Sequence, residues 1–289
     1  MSTNRQNPAT KESIVGKALG NKLQKSTEFG SSSAVAISAV EAVKLRAKYT
    51  HFRILVIGRA NAGKTTLLKR RGSHDIHRAF TFASNPKFMF HDSAGFEAGG
   101  EEELQAVMDF IEKSSKAVEV NNQIHIIWFC FDPDVSRPLL DLEVKFFNEN
   151  RKWNVPVVAI FMKFDDLISQ VWNRNKTPEW NNMHALDTLQ KEFEQPLRSY
   201  KFPPQAYVRL KALDKNESDH QKQIEELMKQ TAASIDDLTL KMLFVTVQQN
   251  NLKICIEYAI KKYVIGFSIS ILLIMFFSIV HENVVKMVC

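Results

Sequence analysis

The segment Gly58-Arg59-Ala60-Asn61-Ala62-Gly63-Lys64-Thr65 follows an apolar stretch and precedes an amphipathic one, matching the spacing G-x-x-x-x-G-K-[ST] in its usual context. Glycines at Gly58 and Gly63 let the backbone wrap around oxygen anions. Successive N–H groups and a helix N-terminus then supply partial positive charge. The spacing predicts that Lys64 reaches the β- and γ-phosphates of a nucleotide and that the Thr65 hydroxyl ligates a magnesium ion, with Asn61, Ala62 and Thr66 completing the cradle. A second loop, Asp92-Ser93-Ala94-Gly95, ends the short apolar run KFMFHD. An Asp–Gly loop by itself is a common turn. After a phosphate loop it takes a role: Asp92 holds a magnesium-bound water, and the Gly95 N–H senses the γ-phosphate. The predicted metal set is therefore Thr65 and Asp92, and the catalytic set Lys64 and Gly95.

A third loop, Met162-Lys163-Phe164-Asp165, ends the buried-looking run VPVVAIF and is close to the pattern [NT]-K-x-D. Asp165 would accept hydrogen bonds from the guanine N1–H and N2 amino group, which adenine does not offer. Lys163 would lay its aliphatic stem over the purine. A carboxylate left unpaired by the wrong base is costly, so one Asp discriminates strongly. The implied ligands are GTP or GDP with Mg2+.

Several positions depart from this pattern. The 26 residues from Thr66 to His91 leave little chain for a first switch loop, and Thr81 is the only later threonine in that gap. Thr81 either closes over the metal or is a strand residue. Phe96 stands where a water-orienting glutamine would, so hydrolysis should be slow unless Glu97, an activating protein or a second copy of the chain supplies the missing group. Met162 removes a hydrogen bond that would tie the base loop to the phosphate loop. The base-supporting loop has two placements, Lys211 to Leu213 or Thr246 to Gln248. The first is preferred because Gln221–Ala233 then forms the closing helix. His74 and His77 flank Asp75, but with no further ligand nearby they read as a solvated loop and not a metal site.

The elements that must position these loops alternate short β-rich runs with longer helical ones, the signature of crossover units on a mainly parallel sheet. The fold class is α/β, a three-layer P-loop domain over 50–235. Strands are predicted at 52–57, 88–91, 124–131, 155–161 and 207–210, and helices near 63–70, 102–118, 137–149 and 184–198. IHIIWFCF reads as a central strand covered on both faces. Residues 1–32 are polar and predicted disordered, 33–49 helical, and 236–263 a helical extension. Residues 264–280, VIGFSISILLIMFFSIV, carry no charge and predict a single transmembrane helix, leaving 281–289 as a short tail. Lys261 and Lys262 before it would keep the domain on the cytosolic side.

Forty-five per cent hydrophobic and 24% charged residues are ordinary for a globular chain, so a buried core is expected. The three cysteines are far apart and odd in number, which argues for a reducing compartment over a disulfide framework. The net charge of +6 fits an anionic partner, yet the basic residues are dispersed. Nucleotide phosphates or acidic lipid headgroups account for it, and no nucleic acid is expected.

The stretches HDSAGFEAGGEEE and KFDDLISQVW, with QQNNL further on, resemble fungal G-domain proteins of the translation-factor-type P-loop GTPase superfamily, the Era, septin and immunity-associated group. The resemblance spans about residues 50–263. It implies a membrane-anchored GTP-binding switch with slow hydrolysis to GDP and phosphate. The alternative is a GTP-holding scaffold without useful turnover.

Overall fold

The computed structural model describes residues 50–68, 74–83, 85–96, 100–213, 219–237, 240–241 and 243–244. The predicted tail 1–32, the helix 33–49, most of the extension 236–263, the run 264–280 and the tail 281–289 lie outside the described residues. In chain order the elements are β1 (Phe52–Gly58), α1 (Lys64–Leu67), β2 (Phe80–Phe82), β3 (Asn85–Asp92), α2 (Glu101–Ser115), β4 (Ile126–Phe131) and α3 (Asp141–Asn148). Then follow β5 (Val157–Phe161), α4 (Phe164–Gln170), α5 (Pro178–Leu189), α6 (Gln195–Ser199), β6 (Ala206–Arg209) and α7 (His220–Ala233).

One six-stranded sheet runs in the order β2-β3-β1-β4-β5-β6. Only the β2–β3 pairing is antiparallel. The period of two in a strand sends alternate side chains to opposite faces. On β4, Ile127, Phe129 and Phe131 join a cluster with Val107 and Ile111 of α2 and Phe146 and Phe147 of α3. Ile126, Trp128 and Cys130 face the other way, into a cluster with Leu227 and Ala232 of α7. Apolar cover on both sides explains why β4 and β5 read as unbroken hydrophobic runs and β1 is broken only by Arg53. Because β1 lies between β3 and β4, the chain leaves β1 in one direction and later crosses to its other side. That reversal is a topological switch point, and ligands of open α/β sheets bind outside the carboxyl ends of the strands at such a point.

Several boundaries differ from the sequence reading. β4 begins two residues later than predicted because His125 is occupied with backbone groups: its Nδ1 accepts from Arg53 N at 2.9 Å and its Nε2 donates to Val120 O at 2.9 Å. β2 is a three-residue edge strand that the sequence reading lacked, and it contains Thr81. The helix predicted from 184 starts at Pro178, with the Thr177 hydroxyl accepting from Trp180 N at 3.3 Å. Threonine at the cap and proline at the first helical position form a start signal. Residues 240, 241, 243 and 244 are helical and not part of a strand, so β6 is the last strand of the sheet among the described residues.

The fold expectation needs one correction. A single transmembrane helix was expected, but no helix among the described residues is long and apolar enough to cross a membrane. The longest, α2, has 15 residues and opens on Glu101, Glu102 and Glu103, whereas a span needs about 20 mostly apolar residues. Among the described residues a single-pass anchor is therefore not supported, and the run 264–280 lies outside them.

Candidate functional site

The phosphate-loop residues lie between β1 and α1, at that switch point. Gly58 has φ 136°, and a β-carbon on it would stand 2.0 Å from the Cys130 carbonyl oxygen of β4. Its glycine is therefore demanded by the sheet and not by an anion. Asn61 takes a left-handed φ of 61° and is exposed, as is Thr66. Asparagine tolerates that conformation better than most residues. Ala62 is buried. Gly63, φ 87°, caps α1, and the N–H groups of Gly63, Lys64, Thr65 and Thr66 donate to no carbonyl among the described residues. Four unsatisfied donors at a helix start form a seat for an anion.

Lys64 is buried, and its ammonium donates to the Arg59 carbonyl at 2.7 Å and the Gly58 carbonyl at 3.2 Å. Burial lowers its pKa, while the nearby Asp92 carboxylate raises it. The loop after β3 closes on the same spot. Phe96 N donates to Gly58 O at 3.1 Å, and Ala60 N donates to Phe96 O at 3.0 Å. A β-carbon on Gly95 would fall 2.6 Å from Lys64 Nζ, so only glycine lets the two loops meet this closely.

Asp92 is 1% exposed and ends β3. Its Oδ2 lies 2.6 Å from His74 Nδ1, while its Oδ1 is buried without a partner. A buried unpaired carboxylate oxygen, with the half-buried Thr65 hydroxyl on α1, supplies hard oxygen donors of the kind Mg2+ takes. Among the described residues no three His, Cys, Asp or Glu groups cluster as a metal site, so the remaining ligands would be phosphate oxygens and waters. Thr81 is exposed on β2 and pairs with Met89. It occupies the strand position that the sequence left open.

The third loop stands at the end of β5. Lys163 adopts φ 50° and caps α4, and its ammonium pairs with Asp132 Oδ2 at 2.8 Å. Asp165 Oδ1 accepts from Ala212 N at 2.9 Å, which brings Ala212, φ 50°, onto the Asp165 carboxylate. The loop after β6 therefore reaches Asp165, while the rival placement at 246–248 lies outside the described residues. Met162 is buried, and its Cε lies 3.0 Å from where a Gly63 β-carbon would be. The Met162 side chain therefore lies beside Gly63, at the position where the sequence lacks a hydrogen-bonding residue.

The structure adds partners that the sequence reading missed. Arg59 forms a two-pronged ion pair with Glu143 of α3, Nε to Oε1 at 2.8 Å and NH2 to Oε2 at 2.9 Å. Its NH1 also donates to Asp132 O at 3.1 Å. Asp132 consequently touches both the phosphate loop and Lys163. Residues 84 positions apart, as Arg59 and Glu143 are, carry no local signal of pairing. Phe96 is 1% exposed with its ring 5.9 Å from that of Phe129, so it points into the core and offers nothing to a water molecule. Glu97 lies outside the described residues. Comparison with protein-family models and with curated proteins finds no match to the chain, so its functional reading rests on the geometry of these residues.

Proposed function

We propose that the chain is a Mg2+-dependent GTP-binding switch of the translation-factor-type P-loop GTPase superfamily. The observation that carries this reading is the junction at the carboxyl ends of β1 and β3. There four N–H groups without a carbonyl partner among the described residues, the Lys64 ammonium and the unpaired Asp92 Oδ1 lie near Gly95. Donors for an anion next to an acceptor for a cation suit a metal-bound polyphosphate better than a neutral ligand. Lys64 would exchange its two carbonyl partners for phosphate oxygens. Thr65 and Asp92 would hold the metal and its water, and the Gly95 N–H would report the γ-phosphate to the residues that follow. Mg2+, when bound, neutralises charge on the phosphate oxygens. The guanine preference follows from Asp165, fixed by the Ala212 N–H at the end of a buried strand.

Phe96 favours a second form of the same reading. With its ring in the core, the chain has no side chain at that position to orient an attacking water, so turnover is slow or the protein is a GTP-holding scaffold. The deciding experiment measures GTP and ATP binding and GTP turnover by the full chain, Lys64→Ala and Asp165→Asn. The expected result is GTP binding in preference to ATP, slow hydrolysis lost in Lys64→Ala, and weaker discrimination in Asp165→Asn. GTP binding without turnover would leave the scaffold. Hydrolysis indifferent to Lys64→Ala would overturn the enzyme reading, and folded protein that binds neither nucleotide would overturn both.

A further inference from the structure

The 74–78 turn is fastened to the end of β3 at two neighbouring residues. His74 Nδ1 meets Asp92 Oδ2 at 2.6 Å, and His91 Nδ1 donates to Ile76 O at 2.7 Å. The turn is itself braced: Arg78 N donates to Asp75 O at 3.0 Å and His77 N to Asp75 Oδ1 at 2.9 Å. The His77 and His91 rings both lie against Phe110 of α2, at 5.3 and 5.1 Å. His74 is an exposed residue of this turn whose ring is held at a buried carboxylate. Its backbone stands next to an anchored turn, and its side chain is 31% exposed against 2% for that of Asp92. The bond to Oδ2 occupies one carboxylate oxygen and leaves Oδ1 as the single open acceptor.

We infer that His74 is the positioning residue for Asp92: it fixes the carboxylate rotamer so that Oδ1 is presented to Mg2+ or its water. This rests on the Mg2+-nucleotide reading above. A ligating carboxylate commonly receives a hydrogen bond from a neighbour that sets its orientation, and loss of such a partner weakens metal binding by about 10–100-fold. The 74–78 turn thereby fills the place between α1 and β2 where a metal-closing loop was sought, using an imidazole on the carboxylate in place of a threonine on the metal. It also ties metal binding to the order of that turn.

The test uses the full chain and measures the Kd for GDP in excess Mg2+ and in EDTA, for the wild type, His74→Ala and His74→Asn. Asparagine can return a donor near the Nδ1 position. The wild type should bind GDP more tightly with Mg2+ than without it. His74→Ala should lose about tenfold of that Mg2+ enhancement while its affinity in EDTA is unchanged, and His74→Asn should recover most of the loss. Binding of Mn2+ to the GDP complex, followed by electron paramagnetic resonance, should weaken in parallel. A wild-type Mg2+ enhancement in His74→Ala would overturn the positioning role. So would an equal loss in EDTA and in Mg2+, because that is the mark of a structural defect. Wild-type protein that binds GDP with no Mg2+ enhancement would sink the metal reading itself, independently of either variant.

Discussion

A β-carbon added at Gly58 would lie 2.0 Å from the Cys130 carbonyl oxygen, whereas one added at Gly63 would meet only the Met162 Cε at 3.0 Å. The first obstacle is the backbone of a central strand and cannot yield. The second is the end of a flexible side chain. Gly58→Ala should therefore destabilise the protein by about 3 kcal/mol or more, and Gly63→Ala by about 1–2 kcal/mol from its left-handed backbone alone. Urea unfolding at neutral pH reads both, and equal losses would remove the distinction. His125 makes a separate prediction at this scale. Burial lowers its pKa from 6.5 to about 4, against the raising effect of its bond to Val120 O. The folded form keeps the ring neutral while the unfolded chain takes up a proton, so stability is full above pH 6.5 and falls as pH drops toward 4. The protein should be about 2 kcal/mol less stable at pH 5 than at pH 7. His125→Asn, which retains an acceptor for Arg53 N, should flatten that slope.

Between elements, a buried ion pair joins the loop after β1 to α3. Arg59 and Glu143 have side chains 8% and 0% exposed, so removing either partner strands a buried charge. Arg59→Met or Glu143→Leu alone should cost about 3–5 kcal/mol, and the double variant far less than the sum. A double-mutant cycle by urea unfolding tests this, and simple additivity would mean that the pair is not energetically coupled. The sequence made the loops themselves legible, since glycine, lysine and aspartate at fixed spacing after apolar runs are local signals. It did not reveal what secures the loops. Arg59 with Glu143, Asp132 with Lys163 and His74 with Asp92 are brought together only by the sheet order. α4 escaped for a related reason: it begins at Phe164, inside the motif read for chemistry, and its seven residues are too few to display a helical period. β2 escaped because three residues on an edge carry almost no alternation.

At the scale of the described fold, a mostly parallel sheet needs an apolar cover on both faces, and that need fixes how much chain the domain requires. One face is covered by α2, α3 and α5, all legible in part from their periodicity. The other is covered by Leu68, α7 and, beyond the boundary drawn at 235, Leu243 and Phe244. The end of an amphipathic helix resembles the end of a domain when its partner face is unknown, so the packing of Leu243 and Phe244 is not legible in the sequence. Phe244 is fully buried, with its ring edge-on to Phe52 at 4.9 Å and to Phe88 at 5.6 Å. Those two residues belong to β1 and β3, the strands that carry the phosphate loop and Asp92. Phe244→Ala should therefore cost about 3–5 kcal/mol through the cavity it leaves. A chain ended at Ile235 should lose more, because it also uncovers the sheet face. If urea unfolding finds the chain ended at 235 as stable as the full chain, the extension is an appendage. If Phe244→Ala alone lowers stability by the stated amount, the extension is part of the second core and holds the strands beneath the candidate site.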